Sequence, residues 1–434
     1  MRIILLLLDG LGDRGHRIYG GKTPLQAAST PNLDYISKIS ANGMYHSSIP
    51  GIAMASEVAH FLLFGYDLQE FPGRGPIEAI GYSLPFGEED VAVLARIFAT
   101  RKEKGVLIVE EEDPVVDRET CTILQETVRS FEGEGLEITF FPTSGIEGII
   151  VIRGKASGKI TDSNPIHEGR PLMEVLPMAD IGEEWEAAEK TAKILNRYLV
   201  WCHRKLSAHP ANRKRERKGL LPINALGTQR AGKQKNLKSF NEKWGLKGLS
   251  ISSEAVYRGL CRMIGMETLM VEESGNHERD LFEKLKCAHE ARDFDFVHVH
   301  TKAPDVAAHT KDPERKRSVI ESLDNALSYA VKEIVTDEEL LFIVTSDHST
   351  PSSGRMIHSG EPVPLMMRGK HVRVDDVSKF NETSCQMGAL GLLRGPELMY
   401  TILSLTDRGK LWGLMDSPAN APYFPGKSKP LIVK

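Results

Sequence analysis

Three short strings carry residue types that can bind metal, each following a stretch of apolar sequence. Asp9-Gly10 ends the opening run. Asp305-x-x-x-His309 puts a carboxylate and an imidazole four residues apart, on one face of a helical turn. Ser346-Asp347-His348-Ser349 is followed ten residues after His348 by His358-Ser359-Gly360. An isolated histidine or strand-end aspartate is usually structural, but three such strings at strand ends of one sheet point to a shared site. Together they offer Asp9, Asp305, His309, Asp347, His348 and His358, three carboxylates and three imidazoles. Mixed N/O ligation without cysteine suits Zn²⁺ or Mn²⁺ and argues against a structural zinc site. Six ligands exceed what one catalytic ion with an open position takes, so two ions are expected. Paired ions clamp the attacking and leaving oxygens of a phosphoryl transfer. Ser56, in Ala55-Ser56-Glu57-Val58-Ala59-His60 before an apolar helical stretch, is the candidate nucleophile. A serine at a helix start is more often an N-cap; metal coordination would instead lower its hydroxyl pKa and activate it.

The elements that would hold these residues are legible from periodicity. Met1–Leu8, Phe294–His300 and Leu340–Thr345 are short apolar runs of the kind buried on both faces of a sheet. Helical patterns lie between them, as at Asp312–Val335, which opens on Asp-Pro, and at Glu183–Leu206. Alternation of this kind predicts an α/β fold with a largely parallel central sheet, whose sites collect at the carboxyl ends of strands. Between Gly73 and Pro177 short β-like runs replace this texture, with one helical stretch near Thr120–Phe131. Residues 73–177 are therefore expected to form a smaller α+β domain inserted into a core of residues 1–72 and 178–434. Arg213–Lys218 is read as a solvated basic face and the Pro- and Gly-containing tail after Ser417 as an extended arm.

Composition excludes several function classes. The chain has 434 residues, 41% hydrophobic and 26% charged, with a net charge of −4, so nothing global draws it to nucleic acid or anionic lipid. The six-residue run Ile3–Leu8 falls far short of the ~20 needed to span a membrane. Five scattered cysteines without a CxxC pair read as reduced thiols of a cytoplasmic protein.

The ordered motifs resemble the cofactor-independent phosphoglycerate mutases of archaeal type, in the alkaline phosphatase superfamily. The resemblance spans nearly the whole chain: Asp9-Gly10-Leu11-Gly12-Asp13, Gly21-Lys22-Thr23-Pro24, Thr30 to Asp34, Ser56 to His60, Gly65-Tyr66-Asp67 and Gly73 to Ala79. It continues through His209-Pro210-Ala211-Asn212, Lys302-Ala303-Pro304-Asp305, Ser346-Asp347-His348, His358 to Pro364 and Glu382 to Cys385. It implies an alkaline-phosphatase-like core in which Asp9, Ser56, Asp347 and His348 hold one divalent ion and Asp305, His309 and His358 the other. The ions would be Mn, Zn or Mg, with no 2,3-bisphosphoglycerate required. Ser56 would take the phosphoryl group, the insert would hold the rest of a small phosphorylated substrate and act as a lid, and 3- and 2-phosphoglycerate would interconvert. Neither nucleic acid nor membrane is expected as a partner; a homo-oligomer is compatible with the sequence.

The insert departs from the family pattern. Ala95 and Ile97 stand where the family has Arg and Asn, Ile146-Glu147 replaces a His-Arg pair, and an arginine-rich stretch shrinks to Asp117-Arg118-Glu119-Thr120. Arg74, Arg96, Arg118 and Arg153 are left to re-create a carboxylate grip, with Arg258 in place of a lysine near the phosphate. A paralogue acting on another phosphate or phosphonate ester is the first alternative. A non-catalytic, metal-stabilised binding protein is the second, weakened by retention of Ser56 beside all six ligands.

Overall fold

The computed structural model describes residues 1–426 and 428–433. It divides into two compact units, one of Met1–Phe71 with Leu237–Lys434 and one of Pro72–Asn236.

In the first unit the opening apolar run becomes β1 (Arg2–Leu8), fully buried from Ile3 onward because strands pair on both its edges. The further core strands are β2 (Ala41–His46), β3 (Gly248–Ser252), β4 (Glu267–Met270), β5 (Phe296–Thr301), β6 (Leu340–Thr345), β7 (Val363–Arg368) and β8 (Gly391–Arg394). Among the described residues they form one eight-stranded sheet in the order β4-β3-β5-β1-β6-β7-β2-β8. Only β7 runs antiparallel to its neighbours. The sheet is thus largely parallel, and β1, β5 and β6 lie side by side at its centre, Leu8 level with Thr301 and Leu7 with Thr345. Parallel neighbours share a carboxyl end, so the residues after all three strands emerge together.

Four helices matter to the site: α1 (Ser56–Leu63), α2 (Ala255–Met263), α3 (Ala303–His309) and α4 (Pro313–Ala326). Asp312 caps α4 by accepting from the Glu314 and Arg315 amides, and Pro313 takes the first turn where its missing N–H costs nothing. Val319, Ile320 and Leu323 of α4 join Leu6, Val299 and Val344 of the sheet in one buried cluster.

The second unit is antiparallel. Val91–Glu103 pairs with Val106–Glu111, Glu147–Arg153 and Ile223–Gly232, and the sheet continues through Leu136–Pro142 to Ser130–Gly133. Here the boundary read at residue 177 needs correction, because the unit runs on to Asn236. Two long-range contacts account for this. The helix Trp185–Ala208 buries Ala192, Leu195 and Tyr198 among Ile138, Phe140 and Ile152 of this unit, and Ile223–Gly232 hydrogen-bonds along its longest strand. Of the basic run, Arg215 is buried on the Leu221 and Val115 carbonyls while Arg213, Lys214, Arg217 and Lys218 face solvent. No helix among the described residues is long and apolar enough to cross a membrane.

Candidate metal centre

Asp9 follows β1, Asp305 and His309 lie on α3 just after β5, and Asp347 and His348 follow β6. The turn at Gly10 makes the convergence feasible. Its φ is +65°, and a Cβ there would meet Thr350 Oγ1 at 2.6 Å and Asp305 at 2.8 Å. Only glycine lets these loops approach so closely.

Two ligand groups result. In one, His348 Nε2 is 3.5 Å from Asp9 Oδ1 and 3.1 Å from Asp347 Oδ2. In the other, Asp305 faces His309 Nε2 at 3.2 Å, one helical turn along α3, and His358 Nε2 at 3.4 Å. Within each group one ligand atom per residue lies within 4.8 Å of the others. The groups adjoin: the His348 and His358 rings stack at 3.8 Å, and Thr350 Oγ1 lies 2.7 Å from Asp305 Oδ1 and 3.1 Å from His348 Nδ1.

Ser56 belongs to this place. Ala55 occupies the cap position of α1, and Ser56 is its first helical residue. Its Oγ lies 2.9 Å from His348 Nε2 and 3.4 Å from Lys302 Nζ.

The donor set fits divalent cations on three counts. Asp9, Asp305 and Asp347 are at most 1% exposed, and Asp9 Oδ1, Asp305 Oδ2 and Asp347 Oδ2 have no hydrogen-bond partner. Three buried carboxylates that share a single ammonium, Lys302, are costly to hold together without further positive charge. His358 Nδ1 sits 2.6 Å from the Met54 carbonyl, which can only accept, so that nitrogen carries the proton. With Nδ1 committed to that carbonyl, Nε2 is the ring nitrogen left facing Asp305, and it is the atom a cation would use. The third count is the chemistry itself, carboxylate and imidazole in each group.

Electrostatics agree. Burial works against ionisation of all three carboxyls, yet all are held below the usual range. His309 and His358 do this for Asp305, and His348 with His60 for Asp347. At Asp9 burial and the like charge of Asp347 are overcome with the help of Lys302 and His300. Burial disfavours charge on His348, but Asp347 and Asp9 lift it to about 9. Burial brings His300 down to about 4.

Five residues of the centre have no place among the sequence candidates. Lys302 Nζ reaches Asp9 at 3.5 Å, Asp305 at 3.3 Å and the Tyr257 hydroxyl at 3.2 Å. Tyr257 donates to Asp9 Oδ2 at 2.7 Å, and His300 Nε2 meets the same oxygen at 3.0 Å. His60 Nδ1 lies 2.8 Å from the Ser56 carbonyl and 3.3 Å from Asp347. Thr350 is the fifth. Lys302 and His60 stand inside recognised motifs and could have been singled out there; Tyr257 has no local signal.

The expected substrate cations lie elsewhere in the sequence of elements. Arg258 is half-buried on α2 beside Tyr257. In the second unit Arg74 pairs with Glu78 at 2.6 Å, Arg153 with Glu137 and Asp90, and Arg96 with Glu147 and Glu112. Arg118 is exposed at the start of Arg118–Thr127.

Known proteins resemble the chain over nearly its whole length. The metalloenzyme superfamily model matches residues 1–405. The chain is 40% identical over 432 residues to 2,3-bisphosphoglycerate-independent phosphoglycerate mutase 2 of Methanocaldococcus jannaschii, covering 98% of each. It is 35% identical over 415 residues to the 2,3-bisphosphoglycerate-independent phosphoglycerate mutase of Picrophilus torridus, 95% of this chain and 99% of that one. Among solved structures, the cofactor-independent phosphoglycerate mutase of Thermoplasma acidophilum shares 30% identity at a TM-score of 0.63, over 93% of this chain and 99% of its own. A Pyrococcus horikoshii protein superposes with a TM-score of 0.76 at 27% identity, over 95% and 99%. The chain therefore belongs to the 2,3-bisphosphoglycerate-independent phosphoglycerate mutases of archaeal type, within the metalloenzyme superfamily.

Proposed function

We propose that this enzyme interconverts 3- and 2-phosphoglycerate in the cytoplasm through a phosphoserine at position 56, with two divalent ions. The observation that carries the reading is Ser56 Oγ, on the first residue of α1 and set 2.9 Å from His348 Nε2 and 3.4 Å from Lys302 Nζ. Asp9, Ser56, Asp347 and His348 would hold one ion, and Asp305, His309 and His358 the other. When bound, such ions neutralise phosphoryl oxygens and lower the serine hydroxyl pKa.

The remaining chemistry falls to the chain. Ser56 Oγ attacks phosphorus, its bond to phosphorus forms, and the bond from phosphorus to the glycerate O3 breaks. Glycerate stays bound with O3 protonated and attacks the phosphoserine through O2; the O2–P bond forms as the Ser56 Oγ–P bond breaks, the O2 proton returning to the serine hydroxyl. Because glycerate is held between the two transfers, no 2,3-bisphosphoglycerate is needed. Lys302 supplies a fixed positive charge beside Ser56, kept protonated by Asp9 and Asp305 against the effect of burial. Thr350 donates to Asp305 and so accepts from Nδ1–H of His348, which keeps the ring oriented with Nε2 toward Asp9 and Asp347. Holding the non-reacting part of the substrate is the role proposed for the second unit. Five unpaired cysteines suit a reducing compartment.

Hydrolysis of a phosphate ester is the second reading, favoured by one observation. Arg74, Arg96 and Arg153 are engaged by carboxylates of their own unit, which weakens the grip that would retain glycerate for the second transfer. Phosphorus NMR of metal-loaded enzyme with 3-phosphoglycerate decides between them. The 2-isomer without free phosphate supports mutase, accumulating phosphate supports hydrolase, and an unchanged spectrum refutes both for this substrate.

A further inference from the structure

Beneath the metal centre lies a second buried charge cluster that phosphoryl transfer does not use. Lys316, on α4, is fully buried, and its ammonium has three acceptors for three protons: the Gly12 carbonyl at 2.9 Å, the Thr350 carbonyl at 2.8 Å and Asp13 Oδ2 at 3.1 Å. Gly12 and Asp13 belong to the loop after β1, which carries Asp9. Thr350 belongs to the loop after β6, which carries Asp347 and His348. Asp13 completes the tie by accepting from the Ser352 amide and hydroxyl, the latter at 2.6 Å, while His16 Nε2 lies 3.2 Å from it. The loops also join directly, the Thr350 amide donating to the Gly12 carbonyl at 2.9 Å.

Desolvating a lysine is expensive, and an apolar side chain on α4 would fill this space at lower cost. The position therefore calls for a reason beyond packing. Thr350 supplies it: its carbonyl accepts from Lys316, and its hydroxyl contacts both Asp305 and His348, one ligand from each group. A shift of this backbone would misplace both groups at once.

We propose that Lys316 is a positioning residue for both metal sites, acting through Thr350 and Gly12, with Asp13 as its charge partner. The proposal rests on the ligand assignment above and concerns metal affinity and site geometry, not contact with substrate.

Two variants test it. Lys316→Met leaves Asp13 buried and unpaired, and folds poorly if that charge dominates. Asp13→Asn with Lys316→Met removes both charges, keeps an acceptor for Ser352, and is expected to melt close to the parent. Mn²⁺ titration of the folded double variant, followed by calorimetry and electron paramagnetic resonance, should show affinity weakened about 10- to 100-fold, the range for outer ligand partners, and a broadened Mn²⁺ spectrum. Parent-like affinity and spectrum would overturn the proposal. So would failure of both variants to fold, since Lys316 would then serve the core rather than the centre. Asp305→Asn, titrated in parallel, separates the two levels: if it too leaves Mn²⁺ binding unchanged, the ligand assignment fails, whereas loss in Asp305→Asn with none in the double variant refutes Lys316 alone.

Discussion

Ser56 Oγ lies 2.9 Å from Nε2 of His348, although 292 residues separate them in sequence. The contact exists because Ala55, and not Ser56, takes the cap position of α1, and because β6 delivers His348 at the carboxyl edge of the sheet. Helix start and strand end, each unremarkable alone, thus bring the proposed nucleophile to a proposed ligand.

Ser56→Ala should therefore leave folding largely intact, still take up both ions at saturating metal, and reduce turnover by roughly 10³-fold or more, as removal of a covalent nucleophile does. The parent, quenched with substrate, should show phosphoserine at this position by mass spectrometry and the variant none. A variant that merely loses ~1 kcal/mol of stability, the cost of a lost cap, and keeps its rate would place the nucleophile elsewhere.

The two ligand groups should titrate separately. His309→Ala and His358→Ala should each weaken the ion held with Asp305, and His348→Ala the ion held with Asp9 and Asp347. Bound metal per chain, counted after dialysis, should fall from two toward one in each case. Exhaustive chelation should abolish turnover, and Mn²⁺, Zn²⁺ or Mg²⁺ should restore it; activity surviving verified metal removal would refute the assignment.

Much of this cluster is readable in the sequence because its candidate ligands come in local strings placed at strand ends. Asp305 and His309 are one helical turn apart, and Asp347 and His348 are adjacent, so spacing alone pairs them. Tyr257 is different. It reaches Asp9 across 248 residues by the packing of α2, and nothing near it in sequence sets it apart from a core tyrosine. His300 reads as one more residue of a buried strand, since only the register with β1 brings it toward Asp9. The domain boundary was hidden for a similar reason. An amphipathic helix pattern at Glu183–Leu206 shows that a face is buried but not which sheet buries it, and the pairing of Ile223–Gly232 with Val91–Glu103 is non-local.

Asp13 gives the fold an acid-sensitive point away from the ligands. Burial raises its pKa, but Lys316 and the Ser352 hydrogen bonds, with His16 and the Arg14 amide, bring it below the ordinary value. A carboxyl depressed in the folded state contributes stability above its unfolded pKa, ~3.9, and loses that contribution as pH falls through the folded value. Parent protein should accordingly lose thermal stability as pH drops below about 4. Asp13→Asn should be less stable than the parent near neutrality and show a shallower acid decline. Parallel melting curves for the two between pH 7 and pH 3 would remove Asp13 from the acid response.

Tyr257→Phe isolates an outer partner of one ion. The hydroxyl donates to Asp9 Oδ2 and stays protonated, since burial and the Asp9 charge push its pKa well above the usual range. The ring packs against His60 at 4.5 Å and His300 at 3.8 Å, contacts that phenylalanine retains. The substitution thus removes one charge-assisted hydrogen bond and leaves Asp9 with His300 and Lys302. Loss of such an outer bond typically costs 10- to 100-fold in metal affinity. Because Tyr257 bonds Asp9 and not Asp305, the cost should fall on the ion held with His348, while the ion at Asp305, His309 and His358 keeps its affinity. A stepwise Mn²⁺ titration resolves the two: one transition moving and the other staying fits the assignment. Equal weakening of both would mean that Tyr257 acts through Lys302, which touches both carboxylates, and Lys302→Met would then reproduce the effect.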